Sequence, residues 1–584
     1  MFFTLAVSAA TPEGCTALTE RALAVDPSVM PVPGPAAVAW RSPDGRASLL
    51  HWGRPAETGG GSVLHPGGRD AAGVAGASRA GTIWAETAGP SGGRAALRAR
   101  TSVTRVDPVY LAEVPGAVIV ADRAVWAAWT SSRLDSHDPL HLCALLNPGF
   151  PLGSVTPFRG VTAAAGSTAM ELLNGSLTHV KGWPPSGGAA ADSAGLSLAW
   201  PDSGDRAGPD PDGGLVSGSP LRLRGARDVA EGLVAAVAPL RDAGSPVELS
   251  LTGGKDSRLI AAALVKAGVP VVARTHGFED HPDVMVAAEI ARRLGIEHVV
   301  RTPAAPGQRV DVLGRIRATV LVADGMLSAF ENVGRPDPAA SPALTAGGHG
   351  GELLRGGYAE TAGRTAASGG LRRAIAPARR AARSAELLRR LTMKHLGLIR
   401  RGPAAAYAAS LAPWTPSLAG HPMRTLDDFY LVNRAGRWSA AARQAYLLRE
   451  QLAQPLFDDR VVLAARAVPL ADRVSGALSA AVLAELSPVL ADVPLAGKPP
   501  AGAGSPFDWR RQYGDAVSTF LRGYILDLGT TSGLFDIVSQ PAAEKLLSPP
   551  HADRASVWAL ATVVCLVSGD YRKAREKTPQ LPVT

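Results

Sequence analysis

The stretch from Val247 to Val300 constrains the fold more than any other part of the chain. Val247 to Leu251 reads as a short apolar strand, and Thr252-Gly253-Gly254-Lys255-Asp256-Ser257 follows as a glycine-rich turn. A helix is expected over Arg258–Ala267, a strand over Val271–Thr275 and a second helix over Asp283–Leu294. Gly295 then precedes a strand at His298-Val299-Val300. Strand, helix, strand, helix, strand at this spacing predicts a parallel sheet, because a helical crossover returns the chain in the direction in which it left.

Around this run the chain divides into three. Residues 1–183 read as β-rich: short apolar runs such as Val109–Val114 and Gly116–Asp122 alternate with Gly/Pro turns. Residues 184–219 are rich in Pro, Gly, Ser and Asp and read as a linker. Residues 220–584 open with a helical pattern, pass through the alternating run and become mostly helical after about residue 365. Length and composition (584 residues, 46% hydrophobic, 19% charged) suit two to four ordinary cores and exclude wholesale disorder. No apolar run is long enough to span a bilayer. The apolar opening Met1–Ala10 lacks a basic start and reads as a strand rather than a signal peptide. Cys15, Cys143 and Cys565 are too far apart for a zinc pattern and suit a reducing compartment, so a cytoplasmic protein without a membrane partner is expected.

The turn after the first strand carries chemistry. Gly253 and Gly254 let backbone approach a phosphate closely, and N–H groups at a helix start form an anion cradle. The hydroxyls of Thr252 and Ser257 are candidate donors to phosphate oxygens. Asp256 beside phosphates requires a cation between them, which makes it a candidate Mg2+ ligand. The structural alternative is an ordinary capped turn. A second cluster, Ala346-Gly347-Gly348-His349-Gly350-Gly351-Glu352-Leu353-Leu354-Arg355-Gly356-Gly357-Tyr358, implies another close approach to a ligand. It offers Glu352 as a second cation ligand, and two such loops fit Mg2+ clamping a triphosphate.

The first loop resembles the SGGxDS loop of enzymes that split ATP into AMP and pyrophosphate, with Thr252 in place of the first Ser. Arg258 follows, open to contact with phosphate or pairing with an acid. The second loop is similar to SGxGADELFGGY of asparagine synthetases: Gly348, Gly350, Leu354, Gly356, Gly357 and Tyr358 fall in register, and Glu352 takes the place of a metal-binding Asp. Gly277-Phe278 with Asp283, Leu294-Gly295 with His298, and Pro455-Leu456-Phe457-Asp458 repeat further signals of that family. The sequences VDPVYLAEVPGAVIVADR and TPFRGVTAAAG look like its glutaminase domain. The chain thus resembles the asparagine synthetase-like (class B amidotransferase) superfamily. The resemblance implies an N-terminal Ntn-type αββα sandwich and a C-terminal PP-loop, HUP-like ATP pyrophosphatase domain with a helical end. It also implies ATP and Mg2+ as cofactors and a place for Gly277, Gly348 and Gly350 at the nucleotide.

One departure matters. The family's glutaminase nucleophile is a Cys directly after the initiating Met, and position 2 is Phe. An inactive glutaminase is therefore expected, with the amine coming from the substrate. That pattern is known in β-lactam synthetases and lasso-peptide cyclases, which adenylate a carboxylate that an amine then attacks. His349 stands where asparagine synthetases have an acid and β-lactam synthetases a Tyr. It reads either as a base for the attacking amine or as a residue that bonds the loop backbone. Without the Tyr, the loop resembles lasso cyclases better.

Closure of a macrolactam on a ribosomal precursor peptide, leader and core, is therefore expected. A leader-binding protein and a leader peptidase are the implied helpers. Lys498 reads as a cation for departing pyrophosphate or as a surface Lys. Arg372 to Arg401 holds ten Lys/Arg against Glu386 alone, which predicts either an acidic partner or a solvated helix face. Three rival readings are a small-molecule amide ligase, a tRNA-modifying pyrophosphatase and a decayed binding protein. The tRNA reading lacks the catalytic Cys pairs, so nucleic acid is not the expected partner, and the paired loops and acids speak against decay.

Overall fold

The computed structural model describes residues 2–30, 36–53, 82–86, 96–181, 220–302, 309–331, 333, 344–363, 376–448, 451–497, 513–548 and 554–582. Lys498, residues 372–375 and the expected linker 184–219 lie outside them.

Among the described residues the first part holds ten strands: β1 (Phe2–Ala9), β2 (Ala36–Arg41), β3 (Ala47–Gly53), β4 (Thr82–Glu86), β5 (Ala96–Arg100), β6 (Tyr110–Val114), β7 (Ala117–Ala121), β8 (Val161–Ala163), β9 (Thr168–Leu173) and β10 (Ser176–Lys181). They form two antiparallel sheets, ordered β2-β3-β1-β7-β6-β8 and β10-β9-β5-β4. The β9–β10 hairpin turns on Asn174 and Gly175, both at positive φ (48° and 75°), as a two-residue turn of matching twist requires. Period-two alternation stacks the sheets. Leu97, Ala99, Met170 and Leu172 face Val109, Leu111, Val118 and Val120 across one core. Helices α1 (Pro12–Leu23) and α2 (Ala124–Thr130) cover the other side of the first sheet. On the outer side of the second, Arg98 and Glu171 pair at 3.1 Å with side chains 43% and 39% exposed. Two β layers and one helical layer are thus present among the described residues.

The second part opens with α3 (Pro220–Val237), whose Ala226, Val229, Ala230, Leu233 and Val237 form one buried stripe. Burying Val229, Leu233 and Val237 contributes about 1.5–3 kcal/mol each. The alternating run follows: β11 (Val247–Ser250), α4 (Lys255–Lys266), β12 (Val271–His276), α5 (Pro282–Leu294) and β13 (Glu297–Arg301). Next come β14 (Arg309–Val310), β15 (Leu344–Gly347), α6 (Ala376–Thr392), a π-helix (Tyr430–Ser439), β16 (Gln451–Ala453), α7 (Asp459–Arg466), α8 (Ala477–Leu486), α9 (Arg554–Val567) and β17 (Leu581–Pro582). The sheet is parallel throughout, in the order β13-β12-β11-β15-β16. The chain steps from β11 through β12 to β13 and then crosses to the far side of β11, so the strand order reverses between β11 and β15. Open α/β sheets bind ligands in the crevice at such a reversal, beyond the carboxyl ends of the strands.

The two parts share a core. Trp126 of α2 and Trp558 of α9 are fully buried in one continuous apolar cluster. Arg123 is buried against Asp324 and donates to the carbonyl of Val322 at 3.1 Å. Removing one partner of such a pair costs about 3–5 kcal/mol. Arg105, at φ 46°, reaches the carbonyls of Gly153 (2.7 Å) and Val432 (3.0 Å), pinning the π-helix to the first part.

The basic segment forms α6 and the chain after it. Ser384, Leu388 and Thr392 turn inward, while Arg389 and Arg390 point outward and pair with Glu386 at 2.7 and 2.6 Å. This is the geometry of a packed helix with a solvated basic face. Among the described residues, no helix is long and apolar enough to cross a membrane.

Candidate active site

The first glycine loop leaves the carboxyl end of β11 and enters α4. Its hydroxyls close the loop on itself. Ser257 Oγ accepts from the Thr252 N–H at 3.1 Å and donates to the Thr252 carbonyl at 3.2 Å, and Thr252 Oγ1 accepts from the Gly254 N–H at 3.2 Å. Ser257 is buried and braces the turn, whereas Thr252 is exposed. The Gly253 N–H is taken by Asp283 Oδ1 at 3.1 Å, from the first turn of α5. Gly254 is the N-cap of α4 and supplies no side-chain bond to its first turn. Those leading N–H groups and the positive end of the helix dipole form the anion cradle.

Among the described residues Arg258 pairs with no acid. It donates to four carbonyls, those of Gly253, Gly254, Val493 and Pro494, at 2.9–3.0 Å. It therefore staples the loop to a distant segment, whose Ala496 N–H also bonds the Gly253 carbonyl at 3.1 Å. Lys498 follows that segment directly and lies outside the described residues. Gly277 stands just past β12, donating to the Arg301 carbonyl at 3.2 Å and packed so closely on Val284 that a Cβ would lie 2.8 Å from it. It acts one step away from the loop, by seating α5.

The second loop leaves the carboxyl end of β15, adjacent to β11, and packs on the first. A Cβ on Gly348 would lie 2.6 Å from Ser257 N and 2.8 Å from Asp256 C. One on Gly351 would lie 2.0 Å from Asp256 Cγ. Only glycine allows this contact, which sets the Asp256 carboxylate against the second loop's backbone. Gly350, at φ 95°, rests on the ring of Phe457. The Leu353 carbonyl accepts from Arg473 at 2.6 Å, and Arg473 is itself held by Asp427 at 2.7 Å. Glu352 neighbours Tyr430 of the π-helix: burial first, then the Glu352 charge, raises the Tyr430 phenol well above its ordinary range.

Arg355 and Glu360 belong to the same cluster, and neither was legible in the sequence as a site residue. The Arg355 guanidinium pairs with Asp256 through Nη1 and with Glu360 through Nε, the latter at 3.0 Å. Burial pushes the Asp256 carboxyl above its usual range against the pull of Arg355, and the charges of Glu352 and Glu360 push the same way. Two carboxylates, those of Asp256 and Glu360, thus share the one guanidinium. Among the described residues no three His, Cys, Asp or Glu converge as an all-protein metal cage. A pair of acids suits Mg2+ carried on a polyphosphate, where phosphate oxygens and water complete the shell. Asp256 and Glu352 fit that role.

His349 stands exposed at the rim, its Nδ1 3.3 Å from where a Cβ on Gly347 would be. Among the described residues its imidazole makes no bond to the loop backbone. Two family signals prove to be braces beneath the site. His298 Nε2 and Thr275 Oγ1 are 2.9 Å apart, and Thr275 donates to the Leu251 carbonyl at 2.8 Å. Asp458 caps α7, accepting from the Arg460 N–H at 2.9 Å.

A parallel α/β domain with two phosphate-scale glycine loops and paired acids at its strand reversal is a nucleotide-handling domain. Residues 228–486 match the asparagine synthase family, which supports an asparagine synthetase-like superfamily for this part of the chain. A domain of that family implies an ATP-binding ligase that forms amide bonds, generally with Mg2+. No curated protein sequence is detectably similar to the chain.

Proposed function

We propose that the chain closes a macrolactam on a lasso-type precursor peptide, by adenylating a side-chain carboxylate and letting the peptide's own amine displace AMP. The observation that carries this reading is the contact of two glycine loops, each bearing an acid, at the β11/β15 reversal. The N–H groups at the start of α4 hold the triphosphate. Asp256 and Glu352 would hold Mg2+, which would supply neutralisation of the phosphate charge. The substrate carboxylate attacks the α-phosphorus, pyrophosphate leaves, and an acyl-adenylate remains. Attack by the amine then releases AMP and leaves the amide. His349, exposed at the rim and without a bond to the loop among the described residues, is the group we assign to accept the proton that the amine loses.

The reading takes no ammonia from glutamine. Cys15, Cys143 and Cys565 are all buried. Cys15 packs inside α1 with its Sγ 3.5 Å from Ser48 Oγ, and burial pushes the Cys143 thiol up to about 12. None is presented as a nucleophile.

The test is ATP–pyrophosphate exchange by the purified protein, with and without precursor peptides encoded beside its gene. Peptide-stimulated exchange, with loss of one water from the peptide, is the expected result. Exchange stimulated only by a small carboxylic acid would replace the cyclase with a small-molecule ligase. The absence of exchange with any carboxylate would end the adenylation reading.

A further inference from the structure

The turn at residues 101–107 of the first part lies at the seam between the two parts. Arg105 holds a left-handed backbone there (φ 46°), which a non-glycine residue keeps only where its surroundings fix it. Both parts supply what fixes it. Its guanidinium donates to the carbonyls of Ala164 and Gly153 in the first part and of Val432 in the π-helix, at 3.1, 2.7 and 3.0 Å. The π-helix comes so close that a Cβ on its Gly436 would lie 2.8 Å from the Thr104 carbonyl oxygen. The Val103 N–H donates to Asp459 Oδ1, at the start of α7, at 2.9 Å. Apolar side chains carry the contact further. Val103 and Val106 share one buried cluster with Tyr430, Phe457 and Leu353, and Leu353 belongs to the second glycine loop. Gly350 of that loop rests on Phe457, and a Cβ on Gly357 would lie 2.5 Å from Tyr430 Cβ. The loop is thus seated at Gly350, Leu353 and Gly357 on a cluster that the first part completes, and its Gly348 is what meets the first turn of α4.

We infer that the first part, whose Cys15 and Cys143 are buried, serves the nucleotide site as its fixed wall, with Val103, Arg105 and Val106 as positioning residues for the second glycine loop. The inference rests on the ATP-binding reading above and adds the first part to it. Coupling between two sites is reciprocal, so a nucleotide held by the loops tightens the turn at residues 101–107 in return.

The experiment is calorimetric binding of α,β-methylene ATP, in buffer containing Mg2+, to the full chain and to its Val106→Ala and Val118→Ala variants. The two valines are 3% and 2% exposed, and each variant loses two buried methyl groups, so the melts should fall alike. Val118 lies in the core between the two sheets of the first part, away from the glycine loops. Val106→Ala should bind the analogue roughly fivefold or more weakly, and Val118→Ala as the wild type does. Arg105→Lys keeps the charge but cannot fork to three carbonyls, and should weaken binding as Val106→Ala does. In the wild type the analogue should slow hydrogen–deuterium exchange over residues 101–107 and leave β7 unchanged, a readout that stands even if a variant does not fold. Wild-type affinity in a folded Val106→Ala, equal weakening in Val106→Ala and Val118→Ala, or exchange over residues 101–107 indifferent to the analogue would each overturn the inference while leaving ATP binding intact. A wild type that does not bind the analogue would instead overturn the ATP-binding reading, and this inference with it.

Discussion

Gly348→Ala isolates the contact between the two loops. The added methyl would sit 2.6 Å from Ser257 N, 2.8 Å from Asp256 C and 3.0 Å from Asp256 Cβ. Two of the three are backbone atoms of the first turn of α4, so no flexible side chain can yield. Restoring ordinary contact at about 3.5 Å means parting the loops by roughly 0.8 Å at the phosphate cradle. Overpacking of this kind costs about 1–3 kcal/mol of stability. A displacement near 1 Å at a reacting centre costs about 10²-fold in rate. The expected outcome is a folded protein with melting lowered by a few degrees and ATP–pyrophosphate exchange reduced about a hundredfold. Gly347→Ala is the control: its new methyl meets only the His349 ring, at 3.3 Å, and that exposed side chain can move. Full exchange activity and an unchanged melt in Gly348→Ala would refute the packing of the loops.

Three further outcomes are expected. Asp256→Asn should lower exchange by about 10²–10³-fold with little change in melting, because Arg355 keeps Glu360; undiminished exchange would remove Asp256 from phosphate chemistry. His349→Ala should spare exchange but slow ring closure by roughly 10²-fold, read as peptide adenylate accumulating ahead of product; unaltered closure would leave His349 without a role in proton transfer. Asp122 lies under β1, with Oδ2 bonded to the Thr4 N–H at 2.9 Å and Oδ1 enclosed without a partner among the described residues. Burial raises its carboxyl to about 8, so the folded state holds a proton that the unfolded state releases. Its stabilisation is complete below the unfolded value near 4 and is lost as pH rises through about 8, at about 1.4 kcal/mol per pH unit between them. Asp122→Asn should flatten that decline in melts from pH 6 to 9; an equally steep decline would show that another group carries it.

The sequence made the central sheet and both loops legible for a physical reason. Strand and helix periods differ, and glycines at fixed spacing after a strand leave few alternatives to a ligand turn. The expected strands and helices between Val247 and Val300 are found within a few residues. Long-range side-chain contacts were not legible. Arg258 gripping four carbonyls, Arg355 crossing to Asp256 and Phe457 supporting Gly350 join residues far apart in the chain and leave no local pattern. The Arg at the Phe position of the second loop was a visible signal, but its partner was not. The helices α2 and α9 are buried nearly all round, so no periodic face marks a partner and nothing local shows that the two parts share a core.

The most direct test of the central claim uses a peptide whose reacting side-chain carboxylate carries 18O, with ATP, followed by mass spectrometry of the released nucleotide and phosphates. Adenylation carries one labelled oxygen into AMP as the amide forms, and the account predicts labelled AMP with unlabelled pyrophosphate. Label in inorganic phosphate together with ADP would mean an acyl phosphate, and would contradict the chemistry assigned to the two loops.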